Sequence, residues 1–340
     1  MLPKTFGRLL ICATLISILI FLPHVEAQAF KVSVNTDKQL YSLGNSVHTY
    51  GNLVLSGNPV TDGQVAVQIN DPQGNVFILR TIPTGQSVLP PFMVEILDVY
   101  PSDLYGNPKS SFSRGTFAFF AVNVRNNDQI TERTATISIN VYYATGVPFD
   151  CFYISYTIYP ATTQTIITPS IPIPSDAPTG TARAYADAFT DLLSEGGYAY
   201  SPEKNATFSI TAGGAGSLGI DTNSAKNEKT SVQALSTEGG YDLIFRLPSK
   251  EGLLGNYTVY VHSYYQGNHA TNQTSFRVTL LGDVNHDCKV DMKDIGIVVK
   301  AFGSVPGDLR WNPNADINGD GKVDMKDIGI VVADFGKVSA

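Results

Sequence analysis

The sequence is short of reactive groups. Its 340 residues hold three cysteines and five histidines. They contain no Cys-x-x-Cys, no Gly-x-Ser-x-Gly nucleophile elbow and no phosphate-binding glycine loop. Past residue 29 the histidines are His48, His262, His269 and His286, and none has a partner at metal-ligand spacing. With no constellation for nucleophilic, redox or phosphoryl chemistry, the chain reads as non-enzymatic. Basic clusters are also missing and the formal net charge is −7, which argues against a nucleic-acid partner. Cys151 and Cys288 fall in different expected domains, so no structural disulfide is expected, although export permits one. Lys337-Val-Ser-Ala340 carries no hydrophobic tail.

The apolar run from Leu9 to Leu22 follows Lys4 and Arg8 and precedes the small-residue sites Val25-Glu-Ala27 and Ala27-Gln-Ala29. That is the pattern of a secretory signal over 1–29. The run is shorter than the about 20 residues a membrane span needs, with retention as an anchor the competing reading. Loss of Lys4, Arg8 and Glu26 makes the mature chain one charge more negative. A secreted or cell-surface product with no membrane span in the mature chain is expected.

The middle of the chain reads as β. Phe30, Val32 and Val34 alternate with polar residues, as do Val65, Val67 and Ile69 with Gln64, Ala66 and Gln68. Asp71-Pro-Gln-Gly74 is a turn before Val76–Leu79. Residues 85–212 offer seven strands, at 93–99, 116–125, 134–143, 152–159, 163–167, 181–189 and 206–210. Glycine-rich residues 213–229 read as a linker. Residues 230–280 add strands at 231–235, 241–247, 257–264 and 274–280. Two half-sandwiches flanking a complete one suggest that 30–84 and 230–280 form one discontinuous sandwich, with 85–212 inserted. Beads on a string is the competing arrangement. The sequons at Asn205, Asn256 and Asn272 are candidate glycosylation sites.

The most specific signal is a motif written twice, 33 residues apart. Asp283, Asn285, Asp287, Asp291 and Asp294 occupy positions 1, 3, 5, 9 and 12 of a loop, with the Lys289 carbonyl at position 7. Asp316, Asn318, Asp320, Asp324, Asp327 and the Lys322 carbonyl repeat the pattern. Hard oxygen donors at this spacing suit calcium, one ion per loop and two in all. Position 6 demands a sharp turn, which Gly321 supplies and Cys288 does not, so the first site is expected to be weaker or distorted. Ile295, Val298, Val299 and Phe302, then Ile328, Val331, Val332 and Phe335, follow at i, i+3, i+4, i+7, the apolar stripe of a short helix ended by Gly303 or Gly336. Neither loop has an entering helix.

These duplicated loop-helix units, with Asp at position 12 and the Trp311-Asn-Pro-Asn-Ala-Asp run between them, resemble a type I dockerin over residues 281–337. The resemblance implies binding to a cohesin domain on another protein. It places the contact on Met292, Lys293, Val299 and Lys300, mirrored by Met325, Lys326, Val332 and Ala333, with either copy able to face the partner. It also implies membership of a polysaccharide-degrading assembly. The Thr36–Gly74 stretch resembles macroglobulin-type and other Ig-like modules of surface proteins. Residues 85–212, with Phe119–Asn127 and the Ile171–Gly180 run, resemble a cell-adhesion-related domain of prokaryotic surface proteins. The expected fold class is mainly β, two Ig-like β-sandwiches plus a small α-helical, EF-hand-like calcium domain.

Two other functions have candidate residues. Tyr198, Tyr200, Tyr264 and Tyr265 are aromatics for stacking on carbohydrate, against a competing reading as core packing. Glu95, Glu132, Asp150 and Asp187 are carboxylates for a glycoside hydrolase, whose acid pairs come from distant strands.

Overall fold

The computed structural model describes residues 29–85, 88, 90–213, 239–249 and 251–338. The expected signal, most of the linker and the strand at 231–235 lie outside the described residues.

The first seven strands are β1 (Phe30–Val32), β2 (Asn35–Thr36), β3 (Leu40–Ser42), β4 (Ser46–Leu55), β5 (Asn58–Pro59), β6 (Gln64–Asn70) and β7 (Val76–Pro83). Next come β8 (Val94–Ser102), β9 (Ser111–Ser113), β10 (Phe117–Asn126), β11 (Arg133–Tyr143), β12 (Pro148–Ile158), β13 (Thr163–Ile167), β14 (Ile171–Pro172), β15 (Gly180–Phe189) and β16 (Lys204–Thr211). The last three are β17 (Gly240–Arg246), β18 (Gly255–Tyr265) and β19 (Asn268–Thr279). The helices are α1 (Met292–Ala301) and α2 (Met325–Asp334).

Strands from both ends of the β region share two sheets. β17 pairs with β4 in one, and β3-β19-β18-β6-β7 form the other. Between them Tyr41, Leu53, Ile69, Ile78, Tyr241, Phe245, Tyr257 and Phe276 are buried, with Tyr257 stacked on Phe276 at 5.0 Å. The segment from β8 to β16 makes two further sheets around Phe112, Phe120, Ile139 and Phe208. Both sandwiches use one closing device, a three-residue strand paired in parallel with the last strand: β3 with β19, and β9 with β16.

The alternation in β6 does not mean one face in water. Gln64, Ala66 and Gln68 are buried along with Val65, Val67 and Ile69. The second sandwich covers that face: Gln68 accepts from Leu193 N at 2.7 Å and donates to Ser194 Oγ at 3.1 Å. On β7, Leu79 N donates to Asn140 Oδ1 at 2.8 Å, and Asn140 returns a bond to the Leu79 carbonyl. Beside it Arg80 holds Glu203 through two bonds of 2.6 Å, and its guanidinium lies 3.3 Å from the Tyr185 ring centroid. Burial and the Glu203 charge push the Asp187 carboxyl well above its usual range, against the opposing pull of Arg80 and Thr81.

Candidate functional site: the paired loop-helix module

Each loop wraps its first and twelfth residues in main-chain donors. Asp283 accepts from Asp287 N at 3.1 Å and Cys288 N at 3.0 Å. Asp294 reaches back to Val284 N at 2.9 Å, Asn285 N at 3.1 Å and Asp291 N at 2.8 Å. The second loop repeats this: Gly321 N binds Asp316 at 2.9 Å, and Ile317 N and Asp324 N bind Asp327 at 2.8 Å each. Asn285 and Asn318 accept from the residue two further on, each at 2.8 Å.

Position 9 starts the helix. Asp291 and Asp324 are N-caps, accepting from Lys293 N and Lys326 N, and Asp294 and Asp327 complete reciprocal capping boxes. One residue type thereby serves both the helix start and the loop, consistent with a position 9 that often acts on calcium through water.

The acidic centre is expensive without a cation. Asp283, Asp294 and Asp327 are buried, burial raises the Asp283 pKa with Asp294 adding to it, and Asp316 Oδ1 is buried with no partner. Only part of that charge is met by Lys293, 3.2 Å from Asp287, and Lys326, 2.9 Å from Asp320. Among the described residues no three His, Cys, Asp or Glu side chains already close a metal cage. The donor set is instead mixed, with amide and main-chain oxygens that calcium accepts. The residues fit calcium.

Cys288 does adopt the left-handed backbone, at φ 69°, against φ 81° for Gly321. Position 4 is also left-handed, with His286 at φ 61° and Gly319 at φ 70°, a requirement the loop pattern does not announce. The first loop therefore holds two non-glycine residues where the second holds two glycines. The Cys288 sulfur is also contacted by Arg277 of β19.

The two units clamp each other. Val290, position 8 of the first loop, bonds through its main chain to Gly336 and Lys337 beyond α2, at 2.8 and 2.9 Å. Val323 does the same with Gly303 and Ser304 beyond α1, at 2.8 and 3.1 Å. The shared core is Val284, Val290, Val298, Ala301, Ala315, Val323 and Val331. Here the expected stripe is corrected. Val298 and Val331 are buried, but Val299, Phe302, Val332 and Phe335 are exposed, because the partner unit is too small to cover a wide face and Ala301 takes the inward position.

The other candidates scatter. Asn205, Asn256 and Asn272 face outward, with Asn272 Nδ2 donating to Val32 O at 3.1 Å. Tyr198 and Tyr264 do meet, but stack on each other at 4.9 Å, with His262 and His269 beside Tyr198. Tyr265 hydrogen-bonds Asp62 at 2.8 Å. Glu132 is exposed, Glu95 and Asp150 are half-buried and Asp187 is buried at the seam. No helix among the described residues is long and apolar enough to cross a membrane.

A duplicated calcium-type loop with an exit helix defines the class of this module. Residues 281–335 match the dockerin type I domain, and this segment is a dockerin module, a calcium-binding class. No curated protein matches the chain. A solved type II cohesin-X-dockerin complex from Acetivibrio cellulolyticus shares 23% identity over 30% of this chain and 71% of its own, at a TM-score of 0.17. A Bacteroides uniformis beta-glucuronidase shares 8% identity over 49% of this chain and 26% of its own, at 0.26. A Listeria innocua beta-glucosidase shares 8% over 38% and 18%, at 0.23. Scores this low carry no argument about activity. The expectation of a non-enzymatic chain is nonetheless withdrawn, since glycosidases stand among the similar structures, and enzymatic status is not assigned.

Proposed function

We propose that this is an exported, modular surface protein whose C-terminal module binds two calcium ions and docks onto a cohesin-bearing partner in a polysaccharide-degrading assembly. One ion is held by Asp283, Asn285, Asp287, the Lys289 carbonyl, Asp291 and Asp294. The other is held by Asp316, Asn318, Asp320, the Lys322 carbonyl, Asp324 and Asp327. Residues 30–84 with 230–280 are read as one Ig-like domain carrying 85–212 as an inserted one, a spacer between the export route and the docking module.

The observation that carries the docking reading is the matched exposure of the two helices. Met292 and Met325 are each 67% exposed, and Val299 and Val332 are 54% and 57% exposed. Lys293, Lys300, Lys326 and Ala333 flank them in the open. Two copies of one apolar face with a lysine rim suit a partner that can bind in either of two orientations related by the internal repeat.

The test is calorimetry of the full chain against a panel of type I cohesin domains, with and without calcium. Val299→Asp and Val332→Asp should each leave binding nearly intact, because the other face serves, while the double variant should lose at least about a hundredfold. Loss of binding in one single variant would refute the two-face reading. No calcium-dependent binding to any cohesin would refute the docking reading.

A further inference from the structure

Two histidines meet where the sandwiches touch, and neither belongs to the dockerin module. His262 of β18 is 5% exposed, and its Nε2 lies 3.2 Å from Nδ1 of the exposed His269 on β19. Both strands belong to the first sandwich. Across them lies residues 190–199 of the second. Tyr198 of that segment stacks on Tyr264 at 4.9 Å, with its ring centroid 5.6 Å from His262 and 5.0 Å from His269. The Gly197 and Gly196 main chain bears on the His262 ring in the sense that favours a ring proton, as a carbonyl does. The segment doubles back so tightly there that a Cβ on Gly197 would stand 1.9 Å from the Asp191 carbonyl oxygen.

A contact between two imidazole nitrogens holds one proton, given by one ring and accepted by the other. The neutral pair meets that condition. In acid the first added proton goes to the exposed His269, and a proton on His262 must then enter a buried position beside that charge. The surrounding groups do not compensate. On the hairpin itself the neighbours are the phenols Tyr260 and Tyr264, and β6 places Ala66 and Gln68 in register. From the second sandwich Arg133 acts on Tyr198 and Tyr200, a further positive charge whose own partner is Asp128 at 2.6 Å. Asp191 and Glu195 are exposed, and among the described residues no carboxylate acts on the His262 ring. Burial, with His269 adding to it, holds His262 below the ordinary histidine value of 6.5, against the Gly197 carbonyl.

We propose that this pair is an acid-sensitive latch between the sandwiches, closed when both imidazoles are neutral and opened by their protonation. Opening frees the 190–199 segment from the β18–β19 hairpin, while the Arg80–Glu203 pair still joins the sandwiches elsewhere along the seam. The sign follows from linkage. A histidine held neutral on folding contributes stability that is full above its unfolded value of 6.5 and is lost as pH falls through its folded value. Asp187, at the same seam, has the opposite sign and gains stability toward acid, so it cannot produce this loss.

The experiment is hydrogen exchange of the full chain at pH 7.5 and 5.0, corrected for the intrinsic pH dependence of exchange. It is read at the Leu193, Gly197 and Tyr198 amides, which donate to Gln68 Oε1 at 2.7 Å, the Leu192 carbonyl at 2.9 Å and Thr190 Oγ1 at 3.0 Å. Their protection should fall several-fold at pH 5.0 while that of β11 holds. His262→Gln keeps a polar side chain without the titration, so its segment should change by less than about twofold between the two pH values, whatever its absolute protection. His269→Gln removes the neighbouring cation and should leave a smaller fall than the parent. Titration of the His262 ring by NMR in the parent should track the fall, which keeps the test decisive even if His262→Gln does not fold. The proposal is overturned by equal protection at both pH values, by an equal fall in His262→Gln, by a loss shared equally with β11, or by a His262 ring that titrates at or above 6.5.

Discussion

The buried Arg80–Glu203 pair should hold the two sandwiches together as one cooperative unit, and Glu203→Gln tests this. Both side chains are nearly closed to water, at 6% and 12% exposure, and both bonds measure 2.6 Å. Removing one charge strands the other, which costs about 3–5 kcal/mol. In a unit of this size each kcal/mol moves Tm by roughly 2–4 °C, so a drop of about 6–20 °C is expected. Asp187 modifies the outcome. Burial and the Glu203 charge push its carboxyl well above the usual range, while Arg80 pulls the other way. Once Glu203 is neutral, Asp187 can ionise and partly replace it. Glu203→Gln alone should therefore sit at the low end of the range, and Glu203→Gln with Asp187→Asn at the high end, more than the sum of the two single effects. The assay is calorimetry of the parent, both single variants and the double. A single Glu203→Gln shift under about 2 °C with an additive double variant would refute the reasoning. Two separated transitions in the parent would refute the claim of one unit.

Asp187→Asn should also change the pH profile of stability. A carboxyl raised on folding contributes stability that is full below its unfolded value near 3.8 and falls as pH rises toward its folded value. The variant should remove that decline, gaining stability at neutral pH relative to the parent, as urea titrations across pH 4–8 would show; an unchanged profile would mean that Asp187 is ionised and paired. In the dockerin module, Cys288→Gly relieves a left-handed residue at φ 69°, worth about 1–2 kcal/mol before the entropy that glycine adds to the unfolded chain. First-loop calcium affinity should rise several-fold, while Gly321→Cys should weaken the second loop. Calcium calorimetry showing no change in either would remove the turn at position 6 as a determinant.

What was legible in the sequence tracks how local the cause is. The β11 strand, the paired loops and the helix ends at Gly303 and Gly336 rest on neighbours within a few residues. The short strands β3 and β9 were not legible, because three residues carry no period and their pairing comes from a strand over 95 or 235 residues away. Gln64, Ala66 and Gln68 look like a wet face until the second sandwich covers them. Arg80 and Glu203, 123 residues apart, carry no spacing signal at all. Nor did the loop pattern reveal that position 4 turns left-handed, since His286 and Gly319 share no chemistry and the requirement appears only in the backbone.

The helix stripe shows why a correct period can still mislead. Ile295, Val298, Val299 and Phe302 do share a helical face by spacing, but a face is buried only as far as its neighbour extends. In a large domain the whole stripe would be covered. Here α1 has only α2 and two loops to pack on, and the contact is set by Val298, Ala301 and Val331. The remaining apolar residues, Val299 and Phe302 with their repeats Val332 and Phe335, stay in solvent in both units. A single exposed valine would need no account. The same residues exposed in both copies of the repeat, while Val298 and Val331 beside them are buried, follow from two near-identical units each too small to bury its own face, and that shortfall leaves a surface for a partner to complete.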